Sequence, residues 1–265
     1  MGWFMKMLDK AQISAYLERI CFFDKVKNDL PGLNALIYAQ LTHIPFEALD
    51  VWGAGLCPSL EIEDIYRKIV VDQRGGYCFE LNTLFRVLLN SLGFDAYQVI
   101  ASLVDEQGVA APPAHNGIIC TLDGQKYFID VGFGGPVPFF AMELREGDQE
   151  NFRLVKRGDF WYLYRLDEEK QINFIRFRDV SAEHCELIPL NFYISQRPDV
   201  HFRHILRVNQ RKDNGVVYSL VDHELTIHTP NGNQVIPVPD KKTLDEVLMR
   251  YFEINPQKLN IQKVY

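Results

Sequence analysis

GIICTLDGQKYFIDV, residues Gly117 to Val131, holds two apolar, β-prone runs on either side of Asp123-Gly124. Asp-Gly between such runs signals a two-residue hairpin turn with positive φ at both central positions. That turn fixes the register. Leu122 faces Gln125, Gly117 falls opposite Asp130, and His115 falls opposite Gly132. Side chains alternate along a strand, so His115 and Asp130 become diagonal neighbours on one face, with Cα atoms roughly 7–8 Å apart. One extra residue in the turn would send them to opposite faces.

The texture changes on either side of this hairpin. From residue 1 to about 95 the apolar spacing is helical: Ile13, Leu17 and Ile20; Leu33, Leu36, Ile37 and Leu41; and a short run from Glu61 to Val70. The strongest pattern is Leu81, Leu84, Phe85, Leu88, Leu89 and Leu92, stopped by Gly93. From Tyr97 onward the chain alternates like strands. Phe152 to Val155 and Phe160 to Leu166 pair around Arg157-Gly158-Asp159, and Ile172 to Phe177 adds another strand. Further strands are expected after Asn191, followed by a late helix with Thr243 and Glu246 as its capping box. The order is helices, a β unit, then a mixed unit, which makes the fold class α+β.

The 265 residues are ample for a core without staples. A net charge of −7 argues against general nucleic-acid binding. Five cysteines, an odd count with no CxxC spacing, suggest neither a disulfide framework nor a zinc site, so no metal is expected. Lys6, Asp9 and Lys10 interrupt any signal-peptide core, and no run is long enough to span a membrane. Met1-Gly2 resembles a myristoylation start, but Lys6 stands where Ser or Thr is needed. These features point to a reduced, cytoplasmic protein.

Cys78 opens the strongest helix. The positive end of a helix dipole stabilises a thiolate, and Gly75-Gly76 just before it permits a sharp turn. The same stretch is also compatible with a buried core cysteine after a plain loop. A catalytic thiol needs a base and an orienter. Of seven histidines, the hairpin singles out His115, with Asp130 beside it. His201 and His204 have a spacing that suits a metal but no third ligand, within a segment that reads as strand. His184-Cys185 lacks an accompanying glycine turn or helix start, and Cys120 sits mid-strand. There is no Walker loop or dinucleotide fingerprint.

RGGYCFELN, Arg74 to Asn82, resembles the RGGxCxExN signature of the arylamine N-acetyltransferases. The run Tyr127 to Gly134 is similar to the family strand ending in the third triad member, and Ile44-Pro45-Phe46-Glu47 to its IPFE segment. The resemblance covers nearly the whole chain. It implies a triad of Cys78, His115 and Asp130. It implies three units: a helical bundle over 1–95 carrying the cysteine, a β-barrel over 96–195 carrying His and Asp, and an α/β lid over 196–265. The fold is then related to transglutaminases and papain-like cysteine enzymes. Acetyl-CoA is the implied co-substrate, with an arylamine, arylhydrazine or N-hydroxyarylamine as acceptor, and no nucleic-acid or membrane partner. Phe46, Phe133, Gly134 and Phe202 match positions that line the substrate pocket in relatives. Glu80 and Asn82 are expected to fix the loop around Cys78.

Two stretches depart from the family pattern. Val200 stands where relatives carry Ser in the segment Asn191 to Phe202, removing a hydroxyl available to a CoA phosphate. Ala111-Pro112-Pro113-Ala114 replaces a small polar run before His115. The length, without the vertebrate insertion, implies a bacterial-type member. A cysteine hydrolase would use the same triad, and a non-catalytic binding protein would be marked by loss of Cys, His or Asp; all three are present here.

Overall fold

A computed structural model describes residues 7–105, 108–166, 171–259 and 261. Helices α1 (Lys10–Arg19), α2 (Leu30–His43), α3 (Leu49–Ala54), α4 (Ile62–Tyr66) and α5 (Cys78–Ser91) form the first part. Asp9 caps α1 in a capping box with Gln12, and Asp29 caps α2 by accepting from the Gly32 N–H at 2.8 Å. A π-helical turn, Arg67–Val71, continues α4. On α5, Leu81, Leu84, Phe85, Leu88 and Leu89 are all buried as their spacing predicts, and Gly93 takes φ +93° just beyond the end. Each such side chain contributes about 1.5–3 kcal/mol of burial. This helix is the spine of the first core, and its outer flank packs on the sheet that follows.

That sheet has eight strands: β2 (Asp95–Leu103), β3 (His115–Leu122), β4 (Gln125–Ile129), β5 (Met142–Glu143), β6 (Gly147–Gln149), β7 (Phe152–Arg157), β8 (Phe160–Leu166) and β9 (Gln171–Phe177). A separate two-residue strand, β1 (Phe46–Glu47), lies earlier in the chain. The order across the sheet is β5-β4-β3-β2-β9-β8-β7-β6. Gln149 nearly closes it, because its side chain bonds both the Glu143 N–H and the Glu143 carbonyl across the two edges. The β3–β4 hairpin has the predicted register: Leu122 pairs with Gln125 and Ile118 with Ile129. Asp123 and Gly124 take φ +50° and +80°, as the two-residue turn requires. The ladder stops at Ile129, so the chain leaves the sheet just before Asp130. The β7–β8 turn is one residue shorter than the sequence suggests, with Arg157 already paired to Phe160.

A second sheet combines β1 with β10 (Arg207–Arg211), β11 (Val217–Val221), β12 (Glu224–Thr229) and β13 (Gly232–Pro237), in the order β1-β10-β11-β12-β13. Its core lies against α8 (Lys241–Phe252). Between the sheets run α6 (His184–Gln196) and α7 (His201–His204). These two helices correct the expectation of strands around Asn191 and His201. Pro189 inside α6 breaks the helical reading of the sequence, while Glu183 and Glu186 cap the helix start. The late helix also starts earlier than expected: Asp240 is its cap, accepting from the Thr243 N–H at 2.8 Å. Among the described residues no helix is long and apolar enough to cross a membrane.

Candidate active site

Cys78 is the first residue of α5 and is only 3% exposed. The two glycines before it act differently from the sharp turn expected of them. Neither has positive φ; the left-handed residue here is Gln73, at +53°. Gly75 is needed for close approach, since a Cβ there would lie 2.1 Å from the Pro45 carbonyl oxygen. The loop thus lies against β1, with the Glu47 N–H donating to the Gly76 carbonyl at 2.9 Å.

A buried charge cluster anchors this loop. Arg74 bonds Glu47 at 2.8 Å and Asp50 at 2.8 Å, and Lys68 bonds Asp50 at 2.8 Å and Glu80 at 2.7 Å. The other Glu80 oxygen accepts from the Tyr77 N–H at 3.1 Å, fixing the residue before the cysteine. Three carboxylates face two cations. Burial pushes Glu80 up to about 7 despite Lys68, with Glu47 and Asp50 adding to the rise. Sequence reasoning found Glu80 but not Lys68 or Asp50, because nothing in their spacing announces a shared buried site.

His115 and Asp130 meet as the hairpin register predicts. His115 Nε2 lies 2.6 Å from Asp130 Oδ2, and both residues are buried. The Cys78 sulfur also acts on this imidazole and favours its charged form. Burial works against the charged form of His115. The Asp130 carboxylate and the Cys78 sulfur outweigh it and raise the imidazole to about 10. Asp130 is itself held: its Oδ1 accepts from Asn82 Nδ2 at 3.0 Å and from the Gly132 N–H at 2.9 Å. Asn82 also donates to the Asn116 carbonyl at 2.7 Å and accepts from the Val131 N–H at 2.9 Å. One side chain on α5 therefore ties together β3 and the strand end that carries Asp130. Gly132 lets that strand end touch the helix, since a Cβ there would lie 2.7 Å from Cys78 Cα.

The four residues expected to contact substrate gather around this group. Phe202 lies 5.9 Å from Phe46 and 6.2 Å from Tyr77, between ring centroids. Phe133 meets the His115 ring edge-on at 5.6 Å. Gly134, at φ +70°, passes so close to Phe46 that a Cβ would sit 2.5 Å from the ring. Asn191 and Ser195 are buried. Tyr77 Oη donates to Asn191 Oδ1, and Asn191 Nδ2 donates to the Pro58 carbonyl at 2.8 Å. That part of the segment braces the cysteine loop. Val200 is the N-cap of α7, where a Ser would cap the helix.

The remaining histidines lie outside the group. His204 Nε2 bonds the Pro198 carbonyl at 2.6 Å, and His201 packs on Phe202. His184-Cys185 does open a helix, contrary to the sequence reading, but Cys185 is exposed beside Glu183. Cys120 is buried mid-strand as expected.

The sequence model of an N-acetyltransferase family matches residues 29–261. An arylamine N-acetyltransferase of Escherichia coli K12 is 29% identical over 251 residues, covering 91% of this chain and 88% of that protein. The solved arylamine N-acetyltransferase of Salmonella typhimurium superposes with a TM-score of 0.86 at 25% identity, covering 94% of this chain and 92% of that one. The Mycobacterium marinum enzyme in complex with CoA gives 0.84 at 27% identity, over 92% and 93% of the two chains. The chain belongs to the arylamine N-acetyltransferase family of acyltransferase enzymes.

Proposed function

We propose that this chain moves an acetyl group from acetyl-CoA to the nitrogen of an aromatic amine or hydrazine, or to the oxygen of an N-hydroxyarylamine. Transfer runs through an acetyl-Cys78 intermediate, with Cys78, His115 and Asp130 as the catalytic group. The observation that carries this reading is the buried His115–Asp130 pair, 2.6 Å apart, set beside Cys78 at the start of α5. The CoA complex of the M. marinum relative supports the choice of donor. A thiol only 3% exposed also suits a slender thioester better than a bulky acyl protein.

In the first half-reaction His115, protonated through Asp130, holds Cys78 as the thiolate, and the sulfur attacks the thioester carbonyl. The carbon–sulfur bond to CoA breaks as the bond to Cys78 forms, and the departing CoA thiolate takes the His115 proton. The Cys78 N–H, at the first helical position without an intrahelical acceptor, is a donor available to the developing oxyanion. In the second half-reaction neutral His115 accepts a proton from the attacking amine, and the acetyl group leaves Cys78 as the amide. CoA leaves before the amine reacts with the acetyl-cysteine, so the kinetics are ping-pong, and the exchange of two thioesters of similar energy is nearly level. Phe46, Phe133, Gly134 and Phe202 hold the acceptor ring. The units 1–95, 96–195 and 196–265 supply the cysteine, the His-Asp pair and Phe202 in turn.

Cys78→Ser and His115→Ala, assayed with acetyl-CoA and an aromatic amine, are expected to lose nearly all transfer. Full activity in either variant overturns the assignment. Hydrolysis of acetyl-CoA as fast without amine as with it assigns a hydrolase instead.

A further inference from the structure

A cavity of about 280 Å³ adjoins the candidate active site and shares Phe46 and Gly134 with it. One side is apolar, with Leu41, Ile44, Val131 and Val137. The other is a single face of the five-stranded sheet, set by strand register. Phe46 pairs with Asn209 and Asn209 with Ser219; Arg211 pairs with Val217 and Val217 with His228. Paired positions and positions two apart share a face. Arg207, Asn209, Arg211, Ser219 and His228 therefore line the cavity together.

Neither arginine pairs with a carboxylate among the described residues. Arg211 donates to the Val137 carbonyl and lies 3.4 Å over the Phe139 ring. Burial lowers its guanidinium to about 10. Arg207 Nε and Asn209 Oδ1 are buried without a hydrogen-bond partner. On this face the nearest carboxylate by register is Glu224, two strands from Arg207 and so roughly 9–10 Å away. Partly buried cations without a counter-ion are costly, and an anion in the cavity would offset that cost. An apolar cavity of ~150 Å³ holds a benzene ring. This one accommodates a substituted ring or a similar fragment, not a whole CoA.

We propose that the cavity is an anion subsite, in which Arg207 and Arg211 receive the carboxylate or phosphate of a ligand whose apolar part lies against Phe46, Ile44 and Val137. The subsite rests on the acetyl-transfer reading for its two sources: a carboxylate on the acceptor ring, or a phosphate of the donor.

The test uses Arg207→Gln and Arg211→Gln in the full chain, with 4-aminobenzoate against aniline as acceptors and acetyl-CoA against S-acetyl-N-acetylcysteamine as donors. An acceptor carboxylate is indicated by a KM for 4-aminobenzoate that rises about tenfold or more relative to aniline, the effect of losing a charged hydrogen bond. A donor phosphate is indicated by the same relative rise for acetyl-CoA over the short thioester. Equal effects on all four substrates, or none, overturn the proposal. Among the described residues Arg207→Gln breaks no side-chain hydrogen bond, and it keeps the test open if Arg211→Gln does not fold. Calorimetric titration of the unaltered protein with benzoate and with CoA reads the subsite without turnover. Binding of neither overturns the subsite, while binding without acetyl transfer overturns only the reaction assigned above.

Discussion

Gly132→Ala isolates the close approach on which the site depends. Gly132 has no positive φ, so alanine strains no dihedral and the effect is purely one of space. The new Cβ would lie 2.7 Å from Cys78 Cα, 3.0 Å from the Cys78 carbonyl oxygen and 2.8 Å from Asn82 Nδ2. Ordinary contact begins at 3.4 Å, so the strand end and the helix must part by about 0.7 Å. The helix start is pinned by Glu80 to Tyr77 and Lys68, which leaves the loop after Asp130 to move. That motion stretches the Asn82 bonds to Asp130 and Val131 and turns the carboxylate away from His115. A misplacement near 1 Å at reacting groups costs ~10²-fold in rate, and overpacking costs about 1–3 kcal/mol in stability. The assay is kcat/KM for transfer from acetyl-CoA to an aromatic amine, with thermal melting beside it. Gly124→Ala is the control: its φ is +80° and nothing lies within 4 Å, so it costs about 1 kcal/mol of left-handed strain and leaves the rate unchanged. A folded Gly132→Ala variant with a rate within about twofold of the unaltered chain refutes this reasoning.

The raised imidazole makes a pH prediction. His115 gains a proton on folding between its unfolded value of 6.5 and about 10, so its stabilisation is complete below 6.5 and lost as pH rises through 10. Asp130→Asn should flatten the fall in melting temperature between pH 7 and 10 and cut kcat by several orders of magnitude, as a misoriented imidazole does in related triads. Glu80 is also raised, from 4.5 to about 7, so its contribution is lost as pH climbs through that window. Glu80→Gln should therefore gain melting temperature relative to the unaltered chain between pH 5 and 8. Asn82→Ala removes three buried hydrogen bonds and strands their partners, and denaturant unfolding should show a loss of about 3 kcal/mol or more.

Much of the site was legible because local chemistry dictated it. Asp123-Gly124 permits one turn, that turn permits one register, and the register brings His115 to Asp130. The leucines and Phe85 after Cys78 announce one buried helix whose first residue is the cysteine. What escaped reading depends on long-range packing. Lys68 and Asp50 meet Glu80 only after α3, α4 and α5 have packed, and neither has a local signature. The segment around Asn191 reads as strand in sequence, yet Asn191 braces Tyr77 from a helix that Pro189 disguises. Gly75 and Gly76 suggested a sharp turn; their lack of a Cβ instead serves contact with Pro45 and Glu80.

Mass spectrometry of the intact chain after brief exposure to acetyl-CoA alone, with the modified peptide located, tests the central claim most directly. One acetyl group on Cys78, stable without amine and discharged when an aromatic amine is added, is the predicted result. An unmodified Cys78 in a preparation that still acetylates the amine would contradict it.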